Sequence, residues 1–163
     1  VASAKQPVWL DTVTELVDRV DDGDRLTVSG FHFVRAPMAA LAALRERDVG
    51  GLTWVAWGGG LPLEYLLGAK GMISRLELCF SSFDIFGLAP RFRRAVENGE
   101  VELFEMTALG YIAGLRAALA QLPYEVMQTP IETELRDGFS VDAPDPFGSE
   151  TPVSAVRPLP IDV

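Results

Sequence analysis

Strand-like apolar runs alternate with helix-like stripes along this chain, and glycine or proline marks most of the changes between them. The runs at 25–31 (RLTVSGF), 52–57 (LTWVAW), 75–80 (RLELCF), 101–104 and 124–127 read as strands, with one more at 153–156. Between them, apolar residues at 9, 10, 13, 16, 17 and 20 make a helical stripe over 8–20. Further helices are predicted at 37–48, opened by Pro37, at 62–68, opened by Pro62, at 90–97 and at 107–121. The longest of these places Leu109, Ile112, Leu115, Leu119 and Leu122 on its apolar side. Such alternation specifies an α/β fold: a doubly wound, mainly parallel open sheet with helices on both faces. Ligands of open parallel sheets bind outside the carboxyl ends of the strands, so the residues there are the candidates for function.

Composition narrows the classes. The 163 residues are 48% hydrophobic, which fits one globular domain. Fourteen basic residues against 23 acidic ones give a net charge of −9, without the basic footprint of a nucleic-acid-binding domain. Residues 129–163 hold seven acids, two bases and six of the eleven prolines. The expected organisation is therefore a compact unit over 1–128 and an acidic, proline-rich extension over 129–163 that completes or interfaces the same domain. A single cysteine, Cys79, and the lack of a signal-like N-terminus or membrane-length apolar run predict a reduced, cytoplasmic protein away from membranes. The chain does not begin with Met, so it is read as processed, trimmed or a piece of a longer one. One histidine is too few for a zinc site built on several His and Cys, and no metal site is expected.

Three strand ends carry candidate chemistry. After the first run come Ser29, Gly30, Phe31 and His32, where Gly30 serves either a tight strand exit or close approach to a ligand. After the second come Gly58, Gly59 and Gly60, which form a flexible turn or offer backbone N–H groups to a substrate oxygen. After the fourth come Glu105, Thr107 and Ala108. Glu105 is a catalytic carboxylate or a charge partner for the helix start, and Thr107 fits an N-cap. His32 is an acid/base group or a polar surface residue. Arg91, Arg93 and Arg94 form a solvated helix face or a phosphate contact, and Cys79 reads as a small buried apolar group. The loop Phe83–Leu88 holds so many apolar side chains that it is expected to pack against another chain.

Several segments, in order, resemble family I coenzyme A transferases, specifically the α-type half of enzymes such as glutaconate CoA-transferase. They are VSGFHFVRAP (28–37), GLTWVAWGGG (51–60), GAKGMISRLELCF (68–80), GLAPRFRRAVENGEVELFEMT (87–107), YEVMQTP (124–130) and SVDAPDPFGSETPVSAVRPLPIDV (140–163). The resemblance implies a CoA-transferase fold of the NagB/RpiA kind and a β-type partner subunit that carries the nucleophilic glutamate. It also implies an acyl-CoA thioester as substrate and no tightly bound cofactor. By the same likeness, Ser29, Gly30, Phe31, Gly58, Gly59, Gly60 and Ala108 line the acyl site, with His32 and Glu105 as the catalytic candidates. Ser29 and His32 stand where the family has glycines, and Ala108 stands where 3-oxoacid CoA-transferases carry an oxyanion glutamine. His32 or a backbone N–H of 58–60 is then the expected substitute donor. Ile131–Leu135 replaces a glycine-rich turn, and the chain is short for the half it resembles. Three readings follow: an α-type subunit of a CoA-transferase, a subunit of a CoA-ester decarboxylase or carbon–carbon hydrolase, and a non-catalytic scaffolding or regulatory half.

Overall fold

A computed structural model describes residues 9–128, 135, 138–145, 147–148 and 153–163. Val8, where the first helical stripe starts, and residues 131–134 of the segment at 131–135 lie outside them. Strands β1 (Arg25–Leu26), β2 (Leu52–Gly58), β3 (Ile73–Phe80) and β4 (Glu102–Glu105) form a parallel sheet in sequential order. Their crossovers carry α2 (Met38–Arg45), α3 (Gly60–Leu66) and α4 (Pro90–Glu97). Right-handed crossovers between successive neighbours put all three helices on one face. The short α1 (Val13–Val17) packs on α2 in the same layer. This helix is shorter than its apolar stripe. The Thr12 side chain accepts the Glu15 N–H at 3.1 Å, so the helix starts at Val13 and leaves Trp9 outside, 92% exposed.

The opposite face takes α5 (Ala108–Leu119) and a second sheet, two of whose strands match the predicted runs at 124–127 and 153–156 and whose third does not. There β7 (Val153–Val156) pairs antiparallel with both β5 (Glu125–Gln128) and β6 (Ser140–Ala143). Strand alternation sorts the side chains of β3 between the two faces. Leu76 and Leu78 join the core under α1–α4, and Cys79 faces the second core of Met106, Ala113, Phe139, Val156 and Leu159. Strand and helix thus alternate as predicted from 25 to 119, with helices on both faces of the parallel sheet.

The orientation of α5 corrects a prediction. Its buried face is Gly110, Ala113, Gly114 and Ala117, whereas Leu109, Ile112, Leu119 and Leu122 are exposed. A Cβ at Gly110 would strike the Phe139 ring, and one at Gly114 would lie 2.7 Å from Leu159 Cγ. The small residues let the helix lie close to the second sheet, and that close packing outweighs burial of the leucine stripe.

A buried acid fastens α4. Ala89 caps this helix without a side-chain bond. Glu64, reaching from α3, accepts the Arg91 N–H at 3.0 Å and the Phe92 N–H at 2.6 Å instead. The carboxylate fills the role of an N-cap from a neighbouring helix. Glu64→Ala orphans both donors and is expected to cost about 2–4 kcal/mol, read as a lower midpoint in urea unfolding with an unchanged slope.

Candidate functional site

The site begins where β1 ends. The apolar run reaches Phe31, yet β1 pairs with β2 only at Arg25 and Leu26. The next N–H, of Thr27, donates to the Val163 carbonyl at 3.0 Å, and the chain swings away from β2. The gap so opened is a cavity of about 130 Å³ lined by Val28, Gly30, Phe31, His32, Ala56, Trp57, Gly58 and Tyr111. It lies at the carboxyl ends of the strands, where ligands of parallel sheets are bound, and no Lys, Arg, Asp or Glu lines it.

A tight loop shapes one wall. Phe31 and Val34 exchange backbone hydrogen bonds at 2.9 and 2.8 Å. Gly30 has φ +114°, and a Cβ there would lie 2.9 Å from the Ala36 backbone, so close chain approach accounts for this glycine. His32 and Arg35 also lie in the left-handed region, at φ 48° and 57°. Each costs about 1–2 kcal/mol for a residue with a Cβ. Such strain concentrates at functional sites.

His32 is held by its ring. Its Nδ1 lies 2.9 Å from the Ser82 carbonyl oxygen. A carbonyl only accepts, so Nδ1 carries the proton and Nε2 is the basic nitrogen of the neutral ring. The Nδ1–H that His32 could offer as an oxyanion donor is thus turned to Ser82, and Nε2 is the ring nitrogen left for a ligand. Phe31 stacks on Trp57 with centroids 5.3 Å apart, and Phe80 sits edge-on to Trp57 at 5.4 Å.

Close chain approach accounts for Gly59 and Gly60, and the N–H of Gly59 is committed. The Gly59 N–H donates to Phe80 O at 3.0 Å, and the Leu61 N–H to His32 O at 3.1 Å. A Cβ at Gly59 would strike Ser81, and one at Gly60 would lie 2.7 Å from His32 Cα. These residues bring the start of α3 against the back of the His32 loop. Of the predicted site residues, Gly30, Phe31, His32 and Gly58 therefore line the cavity, and Gly59 and Gly60 support it from behind. Ser29 lines a separate apolar cavity beside α1 and α2. Glu105 and Ala108 are exposed at the end of β4 and the start of α5 and do not line the cavity. Thr107 caps α5, accepting the Gly110 N–H at 3.0 Å.

Tyr111 carries no local signal of a site in the sequence. It lies one turn after Ala108 and enters the cavity because the small face of α5 sits close beneath it. Burial raises its pKa, partly offset by hydrogen bonds from the Thr27 side chain and the Trp57 backbone. Cys79 lies nearby, and burial pushes its thiol up to about 11, so it stays protonated and unreactive.

Beyond the cavity rim runs an exposed apolar surface. Asp84–Phe86 forms a single 3-10 turn that presents Ile85 and Phe86, 85% and 76% exposed. Phe33 stacks against Phe83 at 5.0 Å and extends this surface to the His32 loop. Among the described residues no His, Cys, Asp and Glu cluster could hold a metal, and no helix is long and apolar enough to cross a membrane.

Comparison with known proteins gives a consistent picture. A sequence model described as "Coenzyme A transferase" matches residues 10–144. The cholesterol ring-cleaving hydrolase IpdA subunit of Rhodococcus jostii is 30% identical over 126 residues, 77% of this chain and 42% of that protein. A succinyl-CoA:3-ketoacid coenzyme A transferase subunit from Xanthomonas campestris is 33% identical over 138 residues, 84% of this chain and 54% of that protein. The chain thus spans about half the length of these relatives. Among solved structures, a variant of the decarboxylase AibA/AibB superposes with TM-score 0.81 and 26% identity, covering 92% of this chain and 58% of that one. Glutaconate coenzyme A-transferase from Acidaminococcus fermentans shares the fold at TM-score 0.79 and 22% identity, covering 92% of this chain and 53% of that one.

Proposed function

The chain belongs to the coenzyme A transferase family, and from that premise we propose that it is the α-type half of a heteromeric enzyme acting on an acyl-CoA thioester. The observation that carries this reading is the cavity at the open end of β1 and β2, bordered by apolar side chains left uncovered. One wall of an acyl site is present, and the nucleophilic glutamate comes from a β-type partner. Attack on the thioester carbonyl splits one difficult transfer into two easier steps. The acyl group enters between His32, Trp57 and Tyr111, with no tightly bound cofactor. Relatives named as subunits support the need for a partner.

The partner is proposed to cover Phe33, Ile85 and Phe86. The full chain, mixed with its β-type partner, is expected to elute with it in gel filtration. The Ile85→Asp, Phe86→Asp double variant is expected to lose at least tenfold in affinity, because anchors of this type contribute about 2 kcal/mol each. Co-elution unaffected by the two aspartates would place the interface elsewhere.

A hydrolytic reading has one specific support, the basic Nε2 of His32. With Nδ1 fixed on the Ser82 carbonyl, the ring is set to take a proton from water. Under this reading His32→Ala lowers CoA-ester hydrolysis by about a hundredfold. Equal rates for the two proteins in a thiol-release assay would remove His32 from the chemistry.

A further inference from the structure

Tyr111 supplies the one hydroxyl among the eight residues that line the cavity. Its position is set from three sides. The small face of α5 lets the ring approach the sheet, and the Thr27 side chain and the Trp57 backbone meet its oxygen. Both contacts exist because β1 parts from β2 at Thr27, the same separation that opens the cavity. The Thr27 side chain and the Trp57 backbone oppose the rise that burial causes in the Tyr111 pKa, and the phenol enters the cavity protonated, able to donate.

Several other groups at the cavity are committed elsewhere, which leaves the Trp57 indole N–H as the other neutral side-chain donor in the lining. His32 Nδ1–H is spent on Ser82 O. The Gly59 N–H is spent on Phe80 O, and the Leu61 N–H on His32 O. Phe31, Val28 and Ala56 have no polar side-chain atom. With no cationic side chain in the lining, a carbonyl oxygen that gains charge here needs a neutral donor.

We propose that the Tyr111 hydroxyl donates a hydrogen bond to the carbonyl oxygen of the acyl group in this cavity and is the catalytic oxyanion donor that this chain contributes. The inference rests on the acyl-CoA reading above and deepens it. As the nucleophile bonds to the carbonyl carbon, the C=O π pair moves onto oxygen. The phenol keeps its proton and shares it with that oxygen. When the pair returns, the C–S bond breaks and the thiolate leaves with its electrons. A donor fixed in advance costs no reorganisation at that moment.

The test compares wild-type and Tyr111→Phe chains, each assembled with the β-type partner, in acyl-CoA turnover. The variant keeps the ring and removes only the hydroxyl. The expected result is a fall in kcat of about a hundredfold, the lower end for loss of one oxyanion donor, with KM little changed. If the variant is less stable, the folded complex is read by the ¹³C shift of a carbonyl-labelled acyl-CoA. That signal moves downfield on binding to wild type and is expected to stay near its free value with Tyr111→Phe. A wild-type complex that turns over while Tyr111→Phe matches it in kcat and in shift overturns this inference alone. A wild-type complex that turns over no acyl-CoA overturns the function on which it rests.

Discussion

Glu77→Ala is expected to be the most destabilising single change in the chain, by about 3–5 kcal/mol, the cost of breaking a buried charge network by removing one partner. Glu77 is 2% exposed on the face of β3 that meets the second sheet. Arg25 of β1 grips its carboxylate through two nitrogens, one at 3.2 Å, and Arg75 donates to it from 2.9 Å. Arg157, just after β7, adds its charge at 3.8 Å and lies over the Phe104 ring. One carboxylate therefore joins β1, β3 and the second sheet, and its loss leaves three guanidinium groups together. Burial alone would raise the Glu77 pKa. The hydrogen bonds and charges of Arg25 and Arg75 outweigh burial and hold it below its ordinary value of 4.5. A depressed carboxylate contributes stability that is complete above the unfolded value and is lost as pH falls through the folded one. The gap in unfolding free energy between wild type and Glu77→Ala should be widest near neutral pH and should narrow below about pH 4.5. A gap that widens on acidification would contradict this role for Glu77.

Gly60→Ala is expected to cost about 2–4 kcal/mol by adding left-handed backbone strain to overpacking. Gly60 has φ +58° and is buried at the start of α3. A methyl group there would lie 2.7 Å from His32 Cα and 2.9 Å from His32 O. Both contacts are with backbone, which cannot rotate aside. The His32 loop must shift, and the Leu61 N–H to His32 O bond stretches with it. The variant should therefore lose stability and site geometry together. Its His32 ring signals should move in NMR even in the folded population. Gly71→Ala is the control: it shares a positive φ, +79°, but a Cβ there meets nothing within 4 Å. It should cost only the strain and leave the His32 signals in place.

Much of this was legible in the chain, and the reasons are local. Apolar runs bounded by Gly and Pro marked β2 and β3, whose buried residues need little context to read as strands. Pro90 and Asn98 bounded α4, and Thr107 capped α5, as side-chain chemistry predicts. The misses share a cause in tertiary contacts. The run 25–31 reads as one strand, but its partner beyond Leu26 is the segment ending at Val163, a pairing that no local pattern encodes. Strand β6 is short and polar, with burial on neither face to announce it. In α5 the leucines suggested the buried side, yet the glycines and alanines at 110, 113, 114 and 117 repeat at helical spacing and were the better signal. That face also explains Tyr111, which otherwise reads as one more apolar residue in a helix. Glu64 and Glu77 are acids inside apolar segments, a pattern that points to buried partners without naming them.

The central claim is that this chain supplies one wall of an acyl-CoA site and needs a second protein chain to react. Its most direct test is release of CoA thiol from an acyl-CoA by this chain by itself, by its β-type partner by itself, and by the two together. Release is expected only from the mixture, and it should be lost when borohydride reduces the thioester formed on the partner's glutamate. No release from a mixture that co-elutes as a complex, or equal release by this chain without the partner, would contradict the claim.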